Sequence, residues 1–176
     1  MDWCFSHCAD PAARALADRH YSRQRVGSRR FVGPGRNVVF LSRCGRAYWV
    51  TTWPFAEYVR HRWAGAWICA AFRNEGAGVS SELIRQAVAA TKAFYGLPPA
   101  LGMITFIDRR EVRPTFVKGE AVWGWTFRKA GFVEVGETKV HRLLALQLLP
   151  DAMPAAEAAG PRSVCGLPLF GYRNDY

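Results

Sequence analysis

The hydrophobic positions of this chain predict strands and helices arranged around one central strand–turn–helix unit. The apolar run over residues 66–72 has the length of a buried strand, and apolar residues recur at helical spacing over residues 79–88. Between these segments, Gly76 and Gly78 permit a tight turn that leaves the first amides of the helix open. A turn of this kind favours the binding of a phosphate or pyrophosphate group.

The rest of the pattern predicts the other elements of a single α/β domain over residues 1–150. One helix begins after the capping residue Asp10, and another runs from Ser80 to Tyr95. Strands are predicted over residues 37–42, 47–53, 101–107, 132–138 and 143–149, and a further helix over residues 121–130. This order predicts a mixed, mostly antiparallel sheet flanked by helices. Residues 151–176 are predicted to form a Pro/Ala-rich linker or frayed tail, with an apolar clip over residues 165–172.

Bulk composition predicts a cytoplasmic protein with no membrane partner, and it leaves the oligomeric state open. No apolar run approaches the roughly 20 residues that span a bilayer, and the N-terminus lacks the features of a signal peptide. The chain has five cysteines, an odd number that favours reduced thiols over a disulfide framework. Cys4, His7 and Cys8 have no second Cys/His pair at zinc-finger spacing, so free thiols are favoured there as well.

The net charge of +10 is concentrated in one N-terminal stretch. No acidic residue occurs between Arg19 and Ala56, whereas eight arginines do. Such clustering predicts a polyanion partner such as DNA or RNA, although a GC-rich genome would also enrich arginine. The glycine-rich loop over residues 22–36 is predicted to hold the phosphate backbone through Arg23, Arg25, Arg29, Arg30 and Arg36.

Several residues carry candidate chemistry, each with a structural alternative. His20 and Tyr21 follow the first helix and form either a protic site or a helix cap with a core contact. Asp108 ends a central strand, where open α/β sheets bind ligands, so it is a candidate general base or metal ligand. Its alternative role is to satisfy loop amides. The aromatic and basic segment over residues 54–64, which includes Tyr58 and Arg60, either stacks bases or covers the core.

Two motifs resemble the GNAT family of N-acetyltransferases. Arg73, Gly76 and Gly78 fit the spacing Arg/Gln-x-x-Gly-x-Gly/Ala of that family's pyrophosphate-binding turn, and residues 124–136 resemble its late helix and strand. The resemblance implies a GNAT-like fold, cofactor binding by these three residues, and acyl transfer from coenzyme A to an amine. Many members have a late-helix tyrosine that protonates the leaving thiolate. This chain has Phe127 there, which has no proton to donate.

Further short segments are similar to the Mom proteins of Mu-type bacteriophages: residues 20–22, 73–76, 80–84, 105–108 and 128–132. Mom proteins are GNAT-related enzymes that add a carbamoylmethyl (acetamido) group to adenine N6 in phage DNA, which protects it from host restriction. The resemblance implies an enzyme acting on double-stranded DNA, with Tyr21, Arg73, Ser81 and Asp108 in the active site. It also implies iron held by His20 or Asp108. The donor stays open between acyl-CoA and a glycine-derived compound.

The function implied by the resemblance to Mom proteins is chemically consistent with the residues of this chain. Adenine N6 is a poor nucleophile, so Asp108 is expected to help remove its proton. The base of a duplex has to be flipped out, and Tyr21, Trp53 and Trp63 are expected to form the walls of its pocket. Two alternatives stand beside it. One is an acyl-CoA-dependent N-acetyltransferase acting on a small amine or a protein, and the other is a basic nucleic-acid-binding module without catalysis.

Overall fold

The computed structural model describes residues 1–55, 59 and 61–162, and the elements below belong to that part of the chain. The strands are β1 (Trp3–Ser6), β2 (Arg36–Ser42), β3 (Ala47–Trp53), β4 (Trp67–Asn74), β5 (Met103–Ile107), β6 (Thr115–Val117), β7 (Glu120–Val122), β8 (Val133–Glu137) and β9 (Leu144–Leu148). The helices are α1 (Pro11–Ala17), α2 (Ser80–Tyr95) and α3 (Trp125–Lys129), followed by a 3-10 turn at Pro150–Ala152. Among the described helices, none has the length and apolar character needed to cross a membrane.

A seven-stranded sheet organises the domain in the order β1-β2-β3-β4-β5-β9-β8. All neighbouring strands are antiparallel except β4 and β5, which are parallel, so the predicted mixed and mostly antiparallel sheet is confirmed. Residue pairs between β4 and β5 run from Trp67 with Met103 to Cys69 with Thr105, although β4 continues to Asn74. The two parallel strands therefore separate beyond Cys69 and leave a gap in the sheet.

Both faces of the sheet are buried, which explains why its central strands lack an alternating polar pattern. Along β2, Val38 and Phe40 pack in the large core that contains α2, whereas Val39 and Leu41 pack with α1. The sheet is thus packed between α1 and α2.

A buried hydrogen-bond chain joins β3 to α2. Trp49 Nε1 donates to Thr51 Oγ1 at 2.7 Å, and Thr51 Oγ1 lies 2.9 Å from Thr91 Oγ1. The Thr91 hydroxyl group in turn donates to the Ala87 carbonyl at 2.8 Å. Each polar atom has a hydrogen-bond partner, which compensates for the hydrogen bonds to water that it loses on burial.

The prediction of one helix over residues 121–130 is wrong in its first part. Glu120–Val122 is strand β7, paired with β6, and α3 begins only at Trp125. The cause is the hairpin turn at Lys118 and Gly119, whose φ angles of 51° and 86° favour a tight two-residue connection. The first helix, predicted from Asp10 to about Arg19, ends at Ala17.

Both ends of the described chain meet at β1, a strand that the sequence pattern did not predict. Trp3 is fully buried and donates from Nε1 to the Leu83 carbonyl at 2.8 Å, which attaches β1 to α2. Residues 150–162 also differ from the expected linker or frayed tail. The Gly160 amide donates to the Trp3 carbonyl at 2.9 Å, and Arg162 pairs with the fully buried Asp10. The expected clip over residues 165–172 lies outside the described residues.

Candidate functional site

The candidate site lies in the gap where β4 and β5 separate. Two cavities meet there, an inner cavity of about 270 Å³ and an outer cavity of about 510 Å³. The inner cavity continues along β4 to Phe72 and along α3 to Phe127, whereas the outer cavity continues to Asp108 and His141. The residues that line both cavities are Tyr21, Cys69, Ala70 and Phe106.

Tyr21 stands between the two cavities, shortly after the end of α1. Its hydroxyl group donates to the Phe106 carbonyl oxygen across 3.4 Å, and its ring stacks on His20 with the centroids 4.6 Å apart. The contact with Phe106 lies one residue beyond the last residue pair of β4 and β5. Burial raises the pKa of Tyr21, so the phenol keeps its proton at neutral pH and is available as a donor.

His20 supports Tyr21 as a neutral ring. Its Nδ1 accepts a hydrogen bond from the Ser22 amide at 3.2 Å and lies 2.8 Å from the Ser22 hydroxyl oxygen. Burial and then the charge of Arg73 lower the pKa of His20 to about 4, against the effect of a hydrogen bond to the Phe72 carbonyl. Nδ1 therefore has a partner within the fold, and the imidazole is uncharged at neutral pH.

Asp108 lines the outer cavity together with Tyr21, at the end of β5. Arg110 Nε donates to Asp108 Oδ1 at 2.8 Å, and Arg110 Nη2 donates to Asp108 Oδ2 at 2.6 Å. These side-chain bonds, with one from the Arg110 amide, lower the pKa of Asp108 to about 2. The carboxylate is therefore ionised at neutral pH, where it is a strong hydrogen-bond acceptor and a weak base.

The glycine turn, residues 75–79, is held in shape by Asn74. Asn74 Oδ1 accepts from the Gly76 amide at 3.1 Å and from the Ala77 amide at 2.8 Å, and its Nδ2 donates to the Gly78 carbonyl at 2.8 Å. Within the described residues, the amides of residues 78–81 have no hydrogen-bond partner. They form the open N-terminal end of α2, a site that suits an anion. Sequence analysis gave Asn74 no role, although an Asn side chain often accepts a hydrogen bond from the backbone amide two residues further on, as Asn74 does from Gly76.

Arg73 joins the glycine turn to the segment after α1. Its Nε donates to Glu75 Oε1 at 2.6 Å and its Nη1 donates to the Arg19 carbonyl at 2.7 Å. Arg19 Nη2 donates to Glu75 Oε2 at 2.7 Å, and the two arginines hold the pKa of Glu75 at about 2. The guanidinium group of Arg46 lies beside Gly76. Three cations and one carboxylate therefore surround the turn, which leaves it net positive.

The predicted catalytic residues fall into two groups. Tyr21 and Asp108 both line the outer cavity. Ser81 lies in the first turn of α2, is only 8% exposed, and belongs to neither of the two cavities in the described structure. It lies at the start of α2, directly after the glycine turn.

The residues expected to hold iron do not form a ligand set. His20 Nδ1 accepts from the Ser22 amide, and Arg110 holds both oxygens of Asp108. Across residues 1–55, 59 and 61–162, no group of three or more His, Cys, Asp or Glu side chains is placed to bind a metal ion. We assign no step to iron, and its presence stays a prediction.

The arginine loop, residues 22–36, divides its five arginines between two tasks. Arg23 donates to the Asp18 carboxylate at 2.7 Å and to the Ser28 carbonyl at 2.8 Å, so it folds the loop. Arg36 lies over the rings of Trp53 and Tyr95 at the other end of β3 from the glycine turn. The side chains of the other three, Arg25, Arg29 and Arg30, are exposed and have neither an ion-pair partner nor an aromatic contact among the described residues.

Trp53 is also placed away from Tyr21, although sequence analysis expected both in one pocket. It packs edge-on against Trp67 and Tyr95, with ring centroids 6.2 Å and 5.7 Å away. Trp63, the third expected wall residue, contacts Phe106 instead, with centroids 5.6 Å apart. Tyr58 and Arg60 lie outside the described residues.

Comparison of the chain with protein-family models, curated proteins and solved structures gave no match.

Proposed function

We propose that this chain is a GNAT-like transferase that places a carbamoylmethyl (acetamido) type group on adenine N6 of double-stranded DNA, and so blocks restriction. The observation that carries the proposal is the meeting of two cavities at Tyr21, beside Asp108. Group transfer requires two substrates that meet at one point, and the gap between β4 and β5 gives each a route. The arginine loop begins at Ser22 in the wall of the outer cavity, which favours DNA on that side.

In this proposal the donor occupies the inner cavity and the adenine amine enters the outer cavity. N6 attacks the electrophilic carbon of the donor, so an N–C bond forms, the bond from that carbon to its leaving group breaks, and N6 loses one proton. Ionised Asp108 accepts a hydrogen bond from N6, which orients the amine and stabilises the positive charge developing on it. Because the pKa of Asp108 is about 2, the proton passes on to solvent at neutral pH.

Tyr21 supplies the proton that the leaving group takes up. Its phenol is protonated at neutral pH and stands between the cavities, within reach of both substrates. Phe127, at the position of the late-helix tyrosine of many GNAT proteins, packs instead on Phe72 and Phe132 with centroids 6.1 Å and 5.3 Å away. In this proposal the general acid is therefore Tyr21, in the segment after α1, and not a residue of α3.

A second candidate function is acyl-CoA-dependent N-acetyl transfer to a small amine or a protein. It is favoured by the glycine turn, where open amides, Arg73 and the N-terminal end of α2 suit a pyrophosphate group. This function predicts tighter binding to acetyl-CoA than to DNA, and DNA that restriction enzymes still cut.

Mass spectrometry of nucleosides from bacteria that express the chain tests the first proposal. The wild type is expected to yield an adenine species of higher mass that Asp108→Ala does not. Asp151→Ala is the matched control, since Asp151 is exposed and far along the chain from the gap, and it is expected to modify DNA like the wild type. Unmodified DNA with clear acetyl-CoA binding would favour the second function. DNA binding without any modified nucleoside would favour a non-catalytic module.

A further inference from the structure

An aromatic chamber of about 730 Å³ adjoins the outer cavity. Its walls are His61, Trp63, Phe106 and the β8–β9 connection over residues 137–143. The three rings form one cluster, with centroids 5.1 Å apart for His61 and Phe106, 5.6 Å for Trp63 and Phe106, and 6.0 Å for His61 and Trp63. Trp63 is only 5% exposed and anchors the cluster, whereas the His61 and Phe106 rings are partly open.

The chamber communicates with the residues assigned to group transfer. Phe106, His141 and Leu143 line both the chamber and the outer cavity. The Phe106 ring forms a wall of the chamber, while its carbonyl oxygen accepts the hydrogen bond of Tyr21. A planar ligand stacked in the chamber would therefore direct a substituent towards Tyr21 and Asp108.

The charges around the chamber suit a ligand that carries phosphate. Glu137 is paired with Arg109 at 2.6 Å and with Arg142 at 2.9 Å, so two positive charges face its single negative charge. Lys139 is exposed and has no ion-pair partner among the described residues, and Arg62 lies 4.5 Å from the centroid of the Trp63 ring. The rim is net positive, whereas the walls are mainly apolar.

We propose that the aromatic chamber binds a purine nucleotide, with the base stacked on Phe106 and His61 and the phosphate near Lys139. Aromatic walls fit the face of a base, and a cationic rim fits its phosphate. The inference rests on the proposed function for its role there: the chamber would hold the ring of the flipped adenine, while the N6 amine reaches the outer cavity.

Photolabelling with 8-azidoadenosine 5′-monophosphate tests the chamber directly. The label is expected on residues 61–63 or 137–143 of the wild-type chain, and dAMP is expected to compete for it. Phe106→Leu removes the ring face and keeps an apolar side chain, and should weaken dAMP binding about tenfold in calorimetry. Phe116→Leu is the matched control, because Phe116 is 72% exposed on the β6–β7 hairpin and should leave dAMP binding unchanged.

Three results would overturn the inference: no label that dAMP displaces, a label that maps elsewhere, or equal dAMP affinity for the two phenylalanine variants. If Phe106→Leu does not fold, His61→Leu takes its place, since His61 is partly exposed. Photolabelling needs neither donor nor transfer, so it separates the two proposals. A labelled chamber with unmodified DNA defeats only the proposed function, and modified DNA with a label elsewhere defeats only the chamber.

Discussion

Arg23 donates from Nε to the Asp18 carboxylate at 2.7 Å, which fastens the first arginine of the loop to the residue that caps the end of α1. Its remaining nitrogens donate to the carbonyls of Ser28 and Arg30. We expect Arg23→Ala to lower the free energy of unfolding by about 1–3 kcal/mol, because these acceptors lose a charged donor. Urea denaturation followed by circular dichroism measures the change.

Arg29→Ala provides the contrast, since Arg29 is exposed on the same loop. Its free energy of unfolding should stay within about 0.5 kcal/mol of the wild type. Its affinity for DNA should fall, and the slope of log affinity against log salt should become shallower by about one. Equal loss of stability in both variants would contradict the division of the loop into folding and binding arginines.

His20 makes stability depend on pH. Its pKa is about 4 in the folded chain and 6.5 in its ordinary state, so the unfolded chain binds more protons between these values. The free energy of unfolding should therefore rise as the pH increases from 4 to 6.5, and this contribution is lost on acidification through that window. His20→Asn should flatten the rise by at most about 3 kcal/mol.

Urea denaturation at several pH values between 4 and 7 checks this expectation. His7→Asn is the control, because His7 is exposed near the N-terminus. A wild-type rise that persists unchanged in His20→Asn would assign the effect to other groups.

Asn74 should control phosphate binding through the glycine turn. Asn74→Ala removes two hydrogen bonds to turn amides and one to the Gly78 carbonyl, so the amides at the start of α2 lose their alignment. We expect acetyl-CoA binding to weaken about tenfold, the size of one or two lost neutral hydrogen bonds. Calorimetry measures the affinity. Asn74→Asp loses the Nδ2 donor and adds a negative charge beside the anion site, so it should weaken binding at least as much as Asn74→Ala; wild-type affinity in either variant would argue against this role.

The free energy of unfolding should depend on the hydroxyl group of Thr51. Thr51→Val keeps the shape but leaves the Trp49 indole N–H without an acceptor and removes a contact with Thr91. The expected loss is about 1–3 kcal/mol in the free energy of unfolding. Thr115→Val, on the exposed β6 strand, should change it by less than about 0.5 kcal/mol. Thermal unfolding of the two variants side by side provides the measurement.

Local signals predicted the centre of the fold well. The strand before Gly76, the helix from Ser80 to Tyr95 and the two strands on either side of Gly45 follow from apolar spacing and turn residues, which act within a few positions of the chain. β1 was missed because its four residues are fixed by distant partners, Leu83 and Gly160. β7 was missed because Glu120–Val122 is too short to show a period.

The candidate site was only partly predictable for the same reason. Asp108 was found because it directly follows an apolar strand, and Tyr21 because it follows a capped helix. Their common cavity depends on the separation of β4 from β5, a long-range relationship that leaves no local pattern. The ion pair between Arg23 and Asp18 was not predicted either. An arginine that binds DNA and an arginine that stabilises its own loop look alike in the sequence.

The pairing of Gly160 with β1 also covers one edge of the sheet. β1 is the last strand on its side, and an uncovered strand of this kind offers amides and carbonyls to other chains. The Phe5 amide donates to the Gly160 carbonyl at 3.0 Å, so the returning segment occupies positions that a second molecule would otherwise use. A chain cut after residue 150 should therefore self-associate through this edge strand, even though it would keep every residue of the candidate site.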